Sequence, residues 1–109
     1  MLKTLESFGL SRVESEIYVY LAKVGPCKAE DLSIGLRKTK RQVYPALQEL
    51  KKKGIVASRS EHSALFSALT FEELLTLFMN LNAEKAKAIR ETKEELVTNW
   101  QKMTKQNNT

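Results

Sequence analysis

Apolar residues recur at helical spacing through Val13, Ile17, Tyr20, Leu21 and Val24, and the run stops at Gly25 and Pro26. Ser11 and Glu14 precede it as an S-x-x-E capping box, in which a hydroxyl and a carboxylate satisfy N–H groups that the start of a helix leaves unpaired. The pattern predicts a first helix between these two signals. A shorter segment, CKAEDLSIGL, turns Ala29, Leu32 and Ile34 or Leu36 inward and predicts a second helix ending near Gly35. Its start is weakly specified, because Lys28 stands where a hydroxyl or carboxylate would cap the helix better. Thr39 and Gln42 then form a T-x-x-Q box ahead of an apolar stripe of Val43, Ala46, Leu47 and Leu50, which predicts a third helix running to Gly54.

Beyond Gly54 the period shortens. The segments IVASRS and ALFSAL read as two short strands around the polar tip Ser60, Glu61, His62 and Ser63. The tip lacks an Asn-Gly pair, so a hairpin with a loop of about four residues is expected. Thr70 and Glu73 make a third capping box, and no Gly or Pro occurs from Phe71 to Met103. The economical prediction is one helix of about 33 residues, roughly 50 Å long. Within it Leu75, Asn82, Ile89, Leu96 and Met103 recur every seven residues. The matching positions Phe78, Lys85, Thr92 and Asn99 are mostly polar, which gives a strict coiled coil little support. A helix of that length overshoots a small domain and leaves Ile89, Leu96, Trp100 and Met103 in water unless a second copy covers them. Leu75, Phe78, Asn82, Ile89, Leu96, Trp100 and Met103 are therefore the expected dimerisation residues. The domain boundaries that follow are 1–69 for the compact N-terminal part, 70–105 for the long dimerisation helix and 106–109 for a frayed tail.

Composition narrows the chemistry. The 109 residues suffice for one modest core, and 42% hydrophobic with 28% charged residues describes a folded chain. No apolar run approaches the roughly 20 residues that span a bilayer, and the opening MLKTLESFGL lacks the layout of a secretion signal, so a cytoplasmic protein without a membrane partner is expected. Cys27 is the sole cysteine and His62 the sole histidine. Neither an intrachain disulfide nor a four-ligand zinc site can be assembled from these two alone. With no nucleophile beside a base and no Gly-rich phosphate loop, an enzyme is not expected, nor is a cofactor. The net charge of +5 is unevenly placed: residues 1 to 69 hold 12 Lys and Arg against 7 Asp and Glu, while residues 70 to 109 hold 6 against 6. Positions 37 to 59 carry eight basic residues against Glu49 alone. That density suits a polyanion.

Three short helices followed by a two-stranded hairpin is the layout of a winged helix-turn-helix, whose third helix enters the DNA major groove. The fold class expected is mainly α with a small β-hairpin: a winged helix-turn-helix followed by a long C-terminal dimerisation helix. Lys38, Thr39, Lys40 and Arg41 fall at the start of the reading helix. Lysines act there as point charges for phosphates, whereas Arg41 and Gln42 can make paired bonds to guanine and adenine. Tyr44 serves either as a nucleic-acid contact or as a brace for the core. Lys28 at the start of the second helix, Arg59 beside the wing tip and His62 on it complete the candidate DNA-binding set. Lys51, Lys52 and Lys53 suit a helix C-terminus whatever the function. Cys27 reads as a small packed residue in preference to a redox switch.

The stretches LESFGLSRVESEIYVYLAKVGP and RQVYPALQELKKKGIV resemble the N-terminal domain of TrmB-type archaeal transcriptional regulators, over most of residues 2 to 80. The most specific parts are the GLSRVESEIYVYL opening, the spacing of Val43, Tyr44, Leu47, Leu50, Gly54, Ile55 and Val56, and LTFEEL at the start of the long helix. The resemblance implies a winged-helix DNA-binding domain, usually dimeric, that represses or activates transcription. Family members commonly continue into a sugar-binding effector domain; this sequence ends at Thr109, so sugar sensing is not carried over. Arg37 stands where the turn before the recognition helix often has Gly, which requires a strained turn or a different one. Pro45 lies inside the third helix, and its missing donor predicts a kink or a later helix start near Arg41.

Double-stranded DNA and a second copy of the chain are the expected partners, with any small-molecule effector unspecified. RNA is less favoured, because the hairpin offers only Phe66 for stacking. The alternative is a winged-helix docking module of a transcription complex, its basic face meeting an acidic protein. Salt-dependent binding to bare duplex separates the two.

Overall fold

The computed structural model describes residues 1–59 and 64–105. Their element order is α1 (Leu2–Ser7), α2 (Arg12–Val24), α3 (Ala29–Leu36), α4 (Lys40–Lys52), β1 (Val56–Arg59), β2 (Leu65–Ala68), α5 (Phe71–Leu81) and α6 (Ala83–Lys105). The chain divides into two compact units at the junction of Ala68 and Leu69.

In the first unit, α2 and α3 both pack on α4. Both sequence-predicted capping boxes are formed. Ser11 Oγ accepts the Glu14 N–H at 3.1 Å while Glu14 Oε1 accepts the Ser11 N–H at 2.7 Å. Thr39 Oγ1 accepts the Gln42 N–H at 3.3 Å and Gln42 Oε1 accepts the Thr39 N–H at 3.0 Å. With the helix starts fixed, Ile17, Tyr18 and Leu21 of α2, Leu32 of α3, and Val43, Leu47 and Leu50 of α4 are buried. Each contributes about 1.5 to 3 kcal/mol of burial before ordering costs. Two positions depart from the expected stripe of α2: Tyr18 is the fully buried tyrosine, and Val24 is 60% exposed. Helix α1 lies outside the expected elements, being only six residues long with Leu5 alone buried.

Three helix ends in this unit close in the same way. After α1 the Leu10 N–H reaches the Leu5 carbonyl at 3.2 Å and the Gly9 N–H the Glu6 carbonyl at 3.0 Å. After α4 the Ile55 N–H reaches Leu50 at 2.9 Å and the Gly54 N–H reaches Lys51 at 3.0 Å. After α3 the Lys38 N–H reaches Ser33 at 2.9 Å and the Arg37 N–H reaches Ile34 at 3.2 Å. This paired closure needs one residue at positive φ. Gly9 and Gly54 supply it twice, and Arg37, at φ 55 and ψ 45, supplies it once. The strained turn expected at Arg37 is therefore present, at a cost of about 1 to 2 kcal/mol for a residue with a Cβ. The later helix start expected from Pro45 is not: α4 begins at Lys40 and continues through Pro45. The capping box holds the first turn, and the Arg41 carbonyl that loses its donor belongs to an exposed residue.

Strands β1 and β2 pair antiparallel, with Val56 opposite Ala68 and Arg59 opposite Leu65. Cys27 adds a further rung: its N–H donates to the Phe66 carbonyl at 3.1 Å and its carbonyl accepts the Phe66 N–H at 2.8 Å. The base of the wing is thereby tied to the segment that leads into α3.

In the second unit the single helix expected from Phe71 to Met103 is two. Asn82 adopts an extended conformation, φ −156 and ψ 123, and ends α5. Its Oδ1 accepts the N–H groups of Glu84 at 2.8 Å and Lys85 at 3.1 Å, so it also caps α6. A short side-chain carbonyl competes with the backbone for those donors, and it breaks the helix without any Gly or Pro. Helix α6 is still long, at 23 residues, and it packs on α5. Trp100 stacks on Phe71, the first residue of α5, with ring centroids 4.5 Å apart and planes 3° from parallel. The seven-residue repeat from Leu75 to Met103 consequently does not lie along one helix. Leu75, Phe78 and Ile89 are buried within a single chain, which corrects the expectation that Ile89 is left in water. Leu96, Trp100 and Met103 are half-buried and Asn82 is exposed.

Candidate nucleic-acid interface

The buried face of α4 is Val43, Ala46, Leu47 and Leu50. At helical spacing this turns Arg41, Tyr44, Gln48 and Lys52 toward the opposite side, and all four are exposed. Tyr44 is 47% exposed, so it does not brace the core. It lines a groove of 440 Å³ with Lys28, Glu30, Gln48, Ala64 and Phe66. The groove joins the start of α3, the middle of α4 and the base of the wing. Lys28 stands at the N-cap position of α3 and makes no side-chain capping bond.

The basic residues around α4 separate into two groups. Lys38 lies 3.4 Å from Glu16 of α2, with only 19% of its side chain exposed, and Glu16 is held in turn by Arg12 at 3.2 Å. Lys53 lies 2.9 Å from Glu14. These two lysines flank α4 in sequence, and both are fastened to α2. Lys40, Arg41, Lys51 and Arg59 are exposed and make no ion pair among the described residues. Among the described residues Lys52 pairs only with Glu49 on its own helix, at 3.5 Å.

Thr39 and Gln42 are brought together at the start of α4, but their polar atoms serve the capping box. Gln42 spends its carbonyl oxygen on the Thr39 N–H, and a paired bond to adenine needs that oxygen to accept from N6 while the amide NH2 donates to N7. His62 lies outside the described residues. Two residues lie beyond the sequence-predicted set: Gln48, one turn beyond Tyr44 on this face, and Arg37, exposed in the turn before α4. The seven-residue step from Arg41 to Gln48 is the sequence signal for the first.

Cys27 is buried, and its thiol is pushed above the ordinary value by burial and by the charge of Asp31. It is a packed residue at the root of the wing. No group of three or more His, Cys, Asp or Glu that could hold a metal ion occurs among the described residues. Among the same residues no helix is long and apolar enough to cross a membrane.

Solved structures share this architecture. MepR, a transcription regulator of the Staphylococcus aureus multidrug efflux pump MepA, is 19% identical and superposes with a TM-score of 0.58 over 93% of this chain and 82% of that one. A MarR-like transcriptional regulator from Thermotoga maritima is 21% identical, with a TM-score of 0.56 over 86% of this chain and 79% of that one. Overoxidized AbfR bound to DNA is 15% identical, with a TM-score of 0.56 over 89% and 77%. At these identities the likeness establishes a MarR-like winged helix-turn-helix fold. No curated protein matches the chain in sequence. The profile of the family described as sugar-specific transcriptional regulator TrmB matches residues 5–72, which hold all of α2, α3, α4 and the wing strands. The chain belongs to the TrmB family of transcriptional regulators, which are not enzymes.

Proposed function

We propose that the protein is a sequence-specific regulator that binds double-stranded DNA as a homodimer, with α4 in the major groove and the wing on the flanking backbone or minor groove. The observation that carries this reading is the exposed row Arg41, Tyr44 and Gln48 on a capped helix, of which Tyr44 and Gln48 line one groove with Lys28 and the base of the wing. Arg41 reads a base edge, Lys40 and Lys28 neutralise phosphates, and Arg59 serves the wing contact. AbfR, which shares the fold, is bound to DNA in one of its structures, and this supports the same use of the fold here.

The dimer surface of this reading is narrower than the sequence indicated. Leu75, Phe78 and Ile89 already have cover in their own chain, so Leu96, Trp100 and Met103 on α6 remain for a second copy. A twofold dimer presents two copies of α4 to half-sites about 34 Å apart, so the operator is an inverted repeat. The test is a salt titration of duplex binding joined to sedimentation. A dimer making roughly 6 to 10 phosphate contacts loses about 10³ to 10⁵ in affinity between 50 and 200 mM salt. A flat salt response overturns DNA binding, and a monomer on and off DNA overturns the palindrome.

A further inference from the structure

Arg37 is the only residue other than glycine with positive φ among the described residues. We propose that Arg37 is held in this conformation to present its guanidinium to a backbone phosphate at the turn between α3 and α4, in the role that sequence position assigned to Lys38. The inference deepens the DNA-binding reading above and rests on it.

The fold itself does not ask for a side chain here. The closures after α1 and α4 make the same pair of bonds with Gly9 and Gly54 at the corresponding point. An L-residue in the left-handed region is disfavoured, and glycine relieves the penalty. No side-chain contact in the described chain offsets the penalty at Arg37: the residue is exposed, and its guanidinium has no hydrogen bond or ion pair there. A strained residue with an unengaged charge, beside a ligand-binding element, marks a functional use of the side chain.

Lys38 is already committed elsewhere. Its ammonium is taken by Glu16, and its carbonyl accepts a hydrogen bond from the Ser33 hydroxyl. With the closure bond from the Lys38 N–H to Ser33, the backbone on the C-terminal side of Arg37 is fastened at several points. The one cation of the turn left for an outside partner is thus mounted on a fixed base, two residues before the N-cap of α4. A guanidinium presents a planar fork of donors that matches two phosphate oxygens at once.

The test uses the full chain with a fluorescent mixed-sequence duplex, measured by anisotropy over a salt series, alongside thermal melting. Arg37→Gly and Arg37→Asn should melt at or above the parent temperature, bind all duplexes more weakly alike, and show a salt slope shallower by about 0.9 for each phosphate the variant leaves unneutralised. Arg37→Lys should keep most of the slope. An Arg37→Gly protein with the parent slope, while Arg41→Ala binds more weakly, overturns the role of Arg37 and leaves the reading of α4 standing. An Arg37→Gly protein that melts lower also overturns it, because the side chain would then be structural. A parent protein without salt-dependent duplex binding overturns both.

Discussion

The ammonium of Lys53 sits 2.9 Å from the carboxylate of Glu14, a contact that spans 39 residues of sequence. Glu14 is almost wholly buried, and the same carboxylate oxygen accepts the Ser11 N–H that starts α2. One carboxylate therefore holds the beginning of α2 and the end of α4. Lys53→Met should cost about 1 to 3 kcal/mol in chemical denaturation, because it leaves a buried charge without its counterion, moderated by the partial exposure of Lys53. Adding Glu14→Gln should recover part of the loss, since the amide oxygen still accepts from Ser11. A Lys53→Met protein as stable as the parent would show that the pair contributes nothing.

Arg41 and Gln42 are adjacent yet should fail in different ways. Arg41→Ala should relax base preference at one position per half-site by about 1 to 3 kcal/mol. Gln42→Ala should instead lower stability by about 1 kcal/mol through loss of the capping box, and weaken all duplexes alike. Selection of binding sites from a random pool, set beside a melting curve, separates the two. A changed base preference in Gln42→Ala would return that residue to the reading set.

Charge placed on α6 should have effects that depend on what already covers each position. Ile89 is fully buried in its own chain, so Ile89→Lys should unfold the α5–α6 pair and release Trp100 from Phe71, shifting its emission toward that of indole in water. Leu96→Lys should keep helical content and the Trp100 signal while sedimentation falls to the monomer. A Leu96→Lys dimer would place the interface elsewhere.

The start of α5 should respond to acid. The Glu73 carboxyl is held below its ordinary value by the backbone N–H of Thr70 and then by the Thr70 side chain. A depressed folded value means that the contribution is present above the unfolded carboxylate range and fades as pH falls through the folded value. The Thr70 amide resonance, 2.9 Å from Glu73 Oε1, should report that transition, and Glu73→Gln should abolish it. An unchanged Thr70 titration in the variant would assign the response to another group.

What the sequence disclosed is what is local. Each capping box is written within four residues, so Ser11 with Glu14, Thr39 with Gln42, and Thr70 with Glu73 are directly legible, and all three formed. The alternation around the wing points to both strands for the same reason. Asn82 is local too, but its position in the seven-residue repeat and the absence of Gly and Pro around it mask its capping capacity. The fates of Lys38 and Lys53 are not legible, since Glu16 and Glu14 lie on another helix and meet them only after α2 and α4 have packed. The rung between Cys27 and Phe66 is equally non-local. Charge density alone therefore marks the basic face and overcounts its free cations.

The two backbone hydrogen bonds exchanged between Cys27 and Phe66 also bear on the speed of the proposed recognition. A flexible arm that orders on contact must give up conformational freedom in the encounter itself, which slows productive docking and weakens the complex. Here the root of the wing gives up that freedom when the chain folds. In the proposed complex the segment before α3 and the wing strands would meet a duplex as one preorganised surface, their share of the association rate set by diffusion and charge steering instead of by a search for structure.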